Sequence, residues 1–97
     1  MPKGYWITVY HSVSDPARLQ QYAALAAPAI EAGGGRILAR GVATATFEHD
    51  GNQRTVVIEF ASTNQAIATY HGAAYQAAAN ILMGAAVREV RIVEGVS

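Results

Sequence analysis

A carboxylate, Glu59, stands in an otherwise apolar, strand-like run from Arg54 to Phe60. A carboxylate set among apolar side chains is an arrangement that general-base catalysis near neutral pH uses. If Asp50-Gly51 forms a two-residue hairpin turn, the strand register makes Arg40 a diagonal neighbour of Glu59 on the same face. The pair could then serve as a general base and as a clamp for a substrate carboxylate. The alternative is a structural ion pair between strands, or a contact between subunits.

Other side chains are candidates for contacts with a ligand. Arg36 follows the glycines Gly33–Gly35, and its planar guanidinium could bind a phosphate or carboxylate, or could be an exposed charge that supports the loop. His71 lies beside a predicted break between two helical segments and could line the mouth of a cleft. The aromatic side chains could stack on a flat ligand, or could pack in the core or in an interface. Those considered as ligand contacts are Trp6, Tyr10 and Tyr70.

Composition excludes several kinds of site and partner. The chain has no cysteine, which excludes disulfides, thiolate nucleophiles and cysteine–zinc sites. Its three histidines lie on different predicted elements without a partner at metal-ligand spacing, so we expect neither a metal nor a cofactor. Seven basic and seven acidic residues give zero net charge and form no basic run, which argues against nucleic acid and anionic membranes as partners. No apolar stretch reaches the about 18 residues of a membrane span, and we expect a cytoplasmic protein.

The alternation of apolar and polar residues predicts four strands within a single domain, residues 1–97. In the third strand one face is fully apolar, while the other mixes Val57 with Glu59. Gly41, near the middle of the second strand, predicts a bulge or a close backbone approach. The strands are predicted at Tyr5–Ser12, Arg36–Glu48, Arg54–Phe60 and Val87–Glu94.

Capping signals delimit the helices. Asp15 suits the N-cap of the first helix, because its carboxylate can accept an orphan backbone N–H, and Pro16 suits the first helical position. Pro28 is expected to kink that helix or loosen its last turn, and the glycines Gly33–Gly35 end it. Ser62, followed three residues later by a glutamine, has the capping-box spacing and begins the second helical region.

The element order is therefore β-α-β-β-α-β. With short connections and right-handed crossovers, this order gives an α+β fold, a four-stranded antiparallel sheet with both helices on one face. The first and third strands are central, and the other sheet face is left open. An open face with two aromatic side chains is expected to be covered by a second sheet or by a ligand. The residues predicted on it are Trp6, Tyr10, Val57, Glu59 and, with the register above, Arg40.

Specific segments are spread along the chain: Tyr5-Trp6-Ile7, Asp15-Pro16, Gly34-Gly35-Arg36, Ile58-Glu59-Phe60, Tyr75-Gln76 and Val93-Glu94-Gly95. In order and spacing they resemble a bacterial family, the domain of unknown function 1330 (DUF1330), over nearly the whole chain. The resemblance implies the dimeric α/β-barrel superfamily, with a ferredoxin-like fold and a homodimer whose two sheets pack into a barrel. It implies no reaction, because the family is named for lacking one.

The chain departs from the family pattern at two positions. Leu82 occupies a position where many relatives have arginine, and His49 follows Glu48 where glycine is usual. If that arginine binds an anionic ligand in relatives, the ligand here is changed or absent. We expect a small homodimer with no assigned reaction, which binds a small organic acid or aromatic ligand in a pocket near the sheet. The alternative is an enzyme resembling the cofactor-independent monooxygenases or isomerases of the superfamily, with Glu59 and Arg40 as catalytic residues.

Overall fold

The structure, a computed structural model, describes residues 2–96. The observed order β-α-β-β-α-α-β confirms the predicted fold class, and the second helical region is divided into two helices at Gly72, as predicted. The ends of the predicted domain, Met1 and Ser97, lie outside the described residues. The elements are β1 (Gly4–Val13), α1 (Pro16–Ala32), β2 (Arg36–Val42), β3 (Arg54–Phe60), α2 (Thr63–His71), α3 (Ala73–Leu82) and β4 (Ala86–Glu94).

The strands form one antiparallel sheet in the order β2-β3-β1-β4, so β1 and β3 are central, as predicted. One face of the sheet packs against the helices and is called the helix face. The opposite face carries no helix and is called the open face. Central side chains on the helix face are Trp6, Thr8, Tyr10, Ile58 and Phe60; those on the open face are Tyr5, Ile7, Val9, Val57 and Glu59.

The core lies between the helices and the sheet and is built around aromatic rings. Trp6 is fully buried; its ring stacks on Phe60 with centroids 6.1 Å apart and meets Tyr75 edge-on at 4.8 Å. Truncating a buried ring of this kind costs about 3–5 kcal/mol. Trp6 therefore anchors the middle of the sheet to α3.

Side-chain caps form at the predicted helix starts. Asp15 accepts the backbone N–H of Arg18 at 3.3 Å, and Ser62 accepts that of Gln65 at 3.1 Å. The Gln65 side chain does not complete the capping box. It donates instead to the carbonyl of Gly33 at 2.8 Å, and so ties the start of α2 to the end of α1.

The first helix ends at the predicted glycines. Gly34 has a φ of +94°, and Gly35 donates its N–H to the carbonyl of Ile30 at 2.9 Å. This pattern is a Schellman cap, in which glycine adopts the left-handed conformation without steric cost. Despite Pro28, α1 runs unbroken to its last residue, Ala32.

The second strand is shorter than predicted, because β2 ends at Val42 and not at Glu48. The two-residue turn predicted at Asp50-Gly51 is therefore wrong, and residues 43–53 form a longer connection. Its first part, residues 43–46, alternates alanine with threonine. This alternation resembles a strand, but it offers little apolar area to hold a strand against the core.

A bulge interrupts the pairing of β2, but not at the predicted position. The register shifts between Ile37 and Ala39, whereas Gly41 pairs regularly with Thr55. A bulge places two residues opposite one, so it changes which side chains point to which face beyond it. The longer connection and the bulge together alter the predicted register of β2.

The face assignment of the first strand was wrong in the prediction. Opposite residues of an antiparallel pair point to the same face, and Glu59 is paired with Tyr5, not with Trp6. Trp6 and Tyr10 lie on the helix face, where both are buried. Alternation sorts the residues of a strand into two faces, but it does not tell which of two apolar faces the helices cover.

The predicted diagonal pair of Arg40 and Glu59 is also wrong. Arg40 lies opposite Val56, which packs against the core, so Arg40 belongs to the helix face. Glu59 is instead opposite Arg36 on the open face. The sheet itself therefore separates the two side chains that were expected to act together.

Candidate ligand-binding site

Strand β4 places an arginine on the helix face. Arg88 lies opposite Tyr10 of β1, and the next residues of the same face, Val90 and Ile92, pack against the core. The Arg88 side chain is half-buried. A guanidinium that has lost part of its water needs other groups to stabilise its charge.

Two tyrosine hydroxyls provide part of that stabilisation. Arg88 Nη1 donates to the hydroxyl of Tyr22 on α1, and Nη2 donates to the hydroxyl of Tyr75 on α3, both at 3.0 Å. The two hydroxyl oxygens are themselves 2.7 Å apart and share a hydrogen bond. Arg88 thus joins two helices to the edge strand of the sheet.

Aromatic rings provide the rest of the stabilisation of the Arg88 charge. The guanidinium carbon of Arg88 lies 4.8 Å from the ring centroid of Tyr22 and 5.7 Å from that of Tyr10. At these distances the electron-rich ring face attracts a cation, an interaction worth about 0.5–2 kcal/mol. The Arg88 cluster, defined as Arg88, Tyr10, Tyr22 and Tyr75, is therefore a cation held by neutral partners.

Burial and proximity determine the protonation of this cluster. Burial by itself lowers the pKa of Arg88, but the hydroxyl oxygens of Tyr22 and Tyr75 outweigh it, and the pKa lies above its usual value. Burial, and then the closeness of Tyr75, raise the pKa of Tyr22 against the opposing effect of Arg88. At neutral pH the guanidinium is charged and the Tyr22 hydroxyl keeps its proton.

Arg88 has no carboxylate partner among the described residues. The ion pairs within residues 2–96 are Lys3–Glu59, His11–Glu89 and Arg91–Glu89. A guanidinium has five N–H donors, and the tyrosine hydroxyls accept only two of those of Arg88. Donor capacity and positive charge are therefore left for another group.

An open cleft lies beside this guanidinium. The Arg88 cleft has a volume of about 680 Å³, counted out to the solvent, and is lined by Tyr70, Arg88, Val90 and Ile92. Trp6 lies behind Tyr70, with ring centroids 5.6 Å apart. The cleft combines a planar cation, which matches a carboxylate in shape and charge, with an aromatic and aliphatic wall.

The structure brings together three of the predicted ligand contacts. Tyr10 touches the Arg88 guanidinium, Tyr70 lines the Arg88 cleft, and Trp6 supports Tyr70 from within the core. Trp6 is fully buried, so its ring packs rather than stacks on a ligand. His71 is exposed at the end of α2, edge-on to the Tyr70 ring at 5.4 Å.

The other predicted site residues lie elsewhere. Arg40 lines a separate cavity beneath α1. Glu59 and Arg36 share the open face, where Glu59 accepts a hydrogen bond from the hydroxyl of Tyr5 at 3.0 Å and lies 3.7 Å from the ammonium of Lys3. Because the sheet separates Glu59 from Arg40, the two do not form a shared catalytic site, and their catalytic roles stay predictions.

Within residues 2–96, no group of three or more histidine, cysteine, aspartate or glutamate side chains is arranged to hold a metal ion. Within the same residues, no helix has both the length and the apolar character needed to cross a membrane.

Sequence comparison supports the resemblance noted above. The family model of the domain of unknown function 1330 matches residues 3–96. The chain belongs to this family. No curated protein matches it.

Solved structures similar to this DUF1330 protein share its fold at low sequence identity. A protein of unknown function from Rhodopseudomonas palustris has a TM-score of 0.77 at 11% identity, over 99% of this chain and 84% of that one. A dimeric ferredoxin-like protein of unknown function from Thermobifida fusca has a TM-score of 0.67 at 14% identity, over 96% and 91%. SnoaB, a cofactor-independent oxygenase from Streptomyces nogalater, has a TM-score of 0.66 at 10% identity, over 100% and 96%. At these identities the similarity shows the fold alone.

Arg88, the central residue of the site in this DUF1330 protein, was not among the predicted site residues. A lone arginine in a strand is usually an exposed charge. A signal was nevertheless present, because Arg88 occupies the same alternating set as Val90 and Ile92, the apolar set of the last strand. Its partner Tyr22 is 66 residues away along the chain, so only the fold shows what stabilises it.

Proposed function

We propose that this DUF1330 protein binds a small organic acid in the Arg88 cleft. The observation that carries the proposal is the half-buried guanidinium of Arg88, which has no carboxylate partner within residues 2–96 and faces an open cleft. Arg88 binds the ligand carboxylate through its free N–H donors. Two parallel N–H···O bonds to a carboxylate give both affinity and a fixed orientation.

The walls of the cleft favour a flat or aliphatic body on that acid. Tyr70, Val90 and Ile92 present an aromatic ring and two branched side chains beside the guanidinium. Ligand pockets commonly combine such apolar walls with a few polar groups that fix orientation. An aromatic monocarboxylate therefore fits the lining better than a sugar or a polyol.

The protonation of the cluster favours binding over catalysis. The hydroxyls of Tyr22 and Tyr75 are engaged with each other and with Arg88, and the raised pKa of Tyr22 keeps it from acting as a base near neutral pH. Glu59 lies on the opposite face of the sheet. A cofactor-independent oxygenase or isomerase, as the alternative, would need a base that the Arg88 cleft does not offer from these residues.

We also propose that the open face pairs with the same face of a second copy. Ile7 and Val57 lie opposite each other at the centre of this face and are half-exposed in the single chain. The similar protein from Thermobifida fusca is described as dimeric. Covering these side chains would remove apolar area from water, at about 25 cal/mol for each Å² buried. That the homodimer works in the cytoplasm stays a prediction from composition.

Calorimetric titration with benzoate, and with neutral benzamide as its isostere, tests the acid site. We expect benzoate to bind and Arg88→Gln to weaken it about 10- to 100-fold, because hydrogen bonds to a charged group contribute about 1.5–3 kcal/mol. Arg91→Gln is the matched control, since Arg91 is an exposed arginine of the same strand that pairs with Glu89. Arg88→Lys keeps the positive charge but loses the planar guanidinium that can make two parallel N–H···O bonds. Equal binding of benzamide, or unchanged benzoate affinity in folded Arg88→Gln, would contradict the proposal.

A further inference from the structure

A second cavity lies on the helix face, between α1 and strands β2 and β3. The α1 cavity is about 450 Å³ with its open mouth included. Helix α1 lines it with Ala23, Ala26 and Ala27, and the sheet lines it with Val56 and Ile58. Alanine fills little space, so this stretch of helix leaves a gap over the sheet where longer side chains would close it.

The lining is mostly apolar, and the buried hydroxyl of Thr8 is already engaged. Thr8, from β1, accepts a hydrogen bond from the indole N–H of Trp6 at 2.9 Å. The neighbouring Ile30 and Ile37 add only aliphatic surface. The ligand group that fits this space is therefore a hydrocarbon chain, because a polar group would lose its hydrogen bonds with water and form few new ones.

Two arginines line the same cavity. Arg40 is exposed and Arg54 half-buried. Arg40 lies opposite Val56 and Arg54 opposite Val42, so the two side chains share the helix face as diagonal neighbours on adjacent strands. Neither has a carboxylate partner among residues 2–96, where the ion pairs involve other groups. Two neighbouring cations without a counter-charge repel each other and attract an anion.

The α1 cavity is distinct from the Arg88 cleft. Tyr10 and Tyr22 form one of its walls, and the same two rings hold the Arg88 guanidinium. Arg88 itself lines the Arg88 cleft, on the β4 side. The two sites thus share these rings but present different arginines to a ligand.

We propose that the α1 cavity is a second binding site, which takes an unbranched aliphatic carboxylic acid with its hydrocarbon tail over the α1 alanines and its carboxylate at Arg40 and Arg54. Charge complementarity selects the head group. The apolar lining selects the tail, and the gap left by the alanines limits its length.

Calorimetric titration of the full chain with butyrate, hexanoate and octanoate tests the tail. Each methylene that enters the cavity should tighten binding about fourfold, until the cavity is full. Ala23→Leu places a larger side chain in the cavity and should flatten this dependence on chain length. Ala27→Leu is a second filling variant in case the first alters folding, which thermal unfolding would reveal. An unchanged dependence in both folded variants would overturn the proposal.

Hexanol and arginine variants test the head group. Hexanol should bind at least about tenfold more weakly than hexanoate, and Arg40→Gln combined with Arg54→Gln should weaken hexanoate by a similar factor. Arg36→Gln is the matched control, since Arg36 is an exposed arginine of β2 on the open face. Equal binding of hexanol and hexanoate, or hexanoate affinity unchanged in the double variant, would overturn the site.

A last variant separates this proposal from the one for the Arg88 cleft. Arg88→Gln should weaken hexanoate less than the Arg40→Gln, Arg54→Gln double variant does, because Arg88 contacts the Tyr10 and Tyr22 wall but does not itself line the α1 cavity. If hexanoate binding instead falls with Arg88→Gln and not with the double variant, the aliphatic acid occupies the Arg88 cleft and the α1 site is wrong. If benzoate fails to bind while the hexanoate series behaves as expected, the Arg88 proposal is wrong and the α1 site stands.

Discussion

The two faces of the sheet stabilise charge in different ways. On the open face Glu59 has Lys3 and Tyr5 as partners. Farther along the same face, Arg91 and then His11 hold the pKa of Glu89 below its usual value. On the helix face Arg88 is held only by tyrosine hydroxyls and rings, without a carboxylate within residues 2–96.

The contrast separates charges that complete a surface from charges that can receive a ligand. The carboxylates of the open face are exposed or half-exposed and paired, and such pairs contribute little, about 0–1 kcal/mol each. The open face keeps exposed apolar area, which a partner protein could cover. The helix face keeps a positive charge without a carboxylate partner among the described residues beside an open cleft, where an organic acid could bind.

The largest expected effect concerns the apolar part of the open face. Val57→Asp places a carboxylate at the centre of the proposed interface, where a second copy places another. An unpaired charge in an interface costs about 3 kcal/mol or more, so association should weaken by at least about a hundredfold. Sedimentation velocity should show a dimer for the unmodified chain and a monomer for Val57→Asp.

A matched substitution shows whether the effect depends on where the new carboxylate is placed. Val96→Asp introduces the same carboxylate at a fully exposed valine and should leave the sedimentation profile unchanged. If Val57→Asp sediments as the unmodified protein does, the open face is not the interface. The half-exposed apolar side chains of the open face would then not be covered by a second copy.

Much of the fold could be predicted because its signals are local. The Asp15 and Ser62 caps, the glycines that end α1 and the alternation of β3 each depend on a few neighbouring residues, and each is observed. Local signals of this kind fix where elements begin and end. They also sufficed for the order of the strands, since crossover rules leave few alternatives.

The composition of the site could not be predicted, because it depends on register. The aromatic and apolar residues of β1 fall on both faces, so alternation alone could place Trp6 with Glu59 or away from it. The bulge after Ile37 then decided the position of Arg40. The environment of Arg88 required contacts with Tyr22 and Tyr75, on two different helices.

Alkaline pH should lower the free energy of unfolding mainly through tyrosines of the helix face, and less through those of the open face. Burial comes first among the causes that raise the pKa of Tyr10 and Tyr22. A raised pKa means that the folded chain keeps a proton which the unfolded chain loses near pH 10. The stabilisation is complete below that pH and is lost as the pH rises above it, at about 1.4 kcal/mol per pH unit for each such group. Urea unfolding between pH 8 and 11 measures this slope.

Two tyrosine variants show which face of the sheet causes the loss of stability at alkaline pH. Tyr22→Phe should reduce the alkaline slope, because one of the two hydroxyls whose pKa is raised by burial is gone. Tyr5→Phe on the open face should retain most of the slope. Hydrogen bonding to Glu59 is the first cause that raises the Tyr5 pKa, and burial contributes less because the side chain is half-exposed. A slope that depends on Tyr5 and not on Tyr22 would reverse the comparison.

The smallest expected effect is that of Glu59→Gln, measured in the monomeric Val57→Asp background so that the interface does not contribute. Glutamine keeps an oxygen that can accept the Tyr5 hydroxyl, so the substitution removes chiefly the charge facing Lys3. The Lys3 side chain is 57% exposed and its ammonium is 3.7 Å from the carboxylate, so the free energy of unfolding should change by less than about 1 kcal/mol. Glu89→Gln, which breaks the exposed pair with Arg91, is the control of equal chemistry. If Glu59→Gln lowers the free energy of unfolding several times more than Glu89→Gln does, Glu59 is not an ordinary paired surface charge. The open face would then, like the helix face, hold a charged side chain that the surrounding residues specifically stabilise.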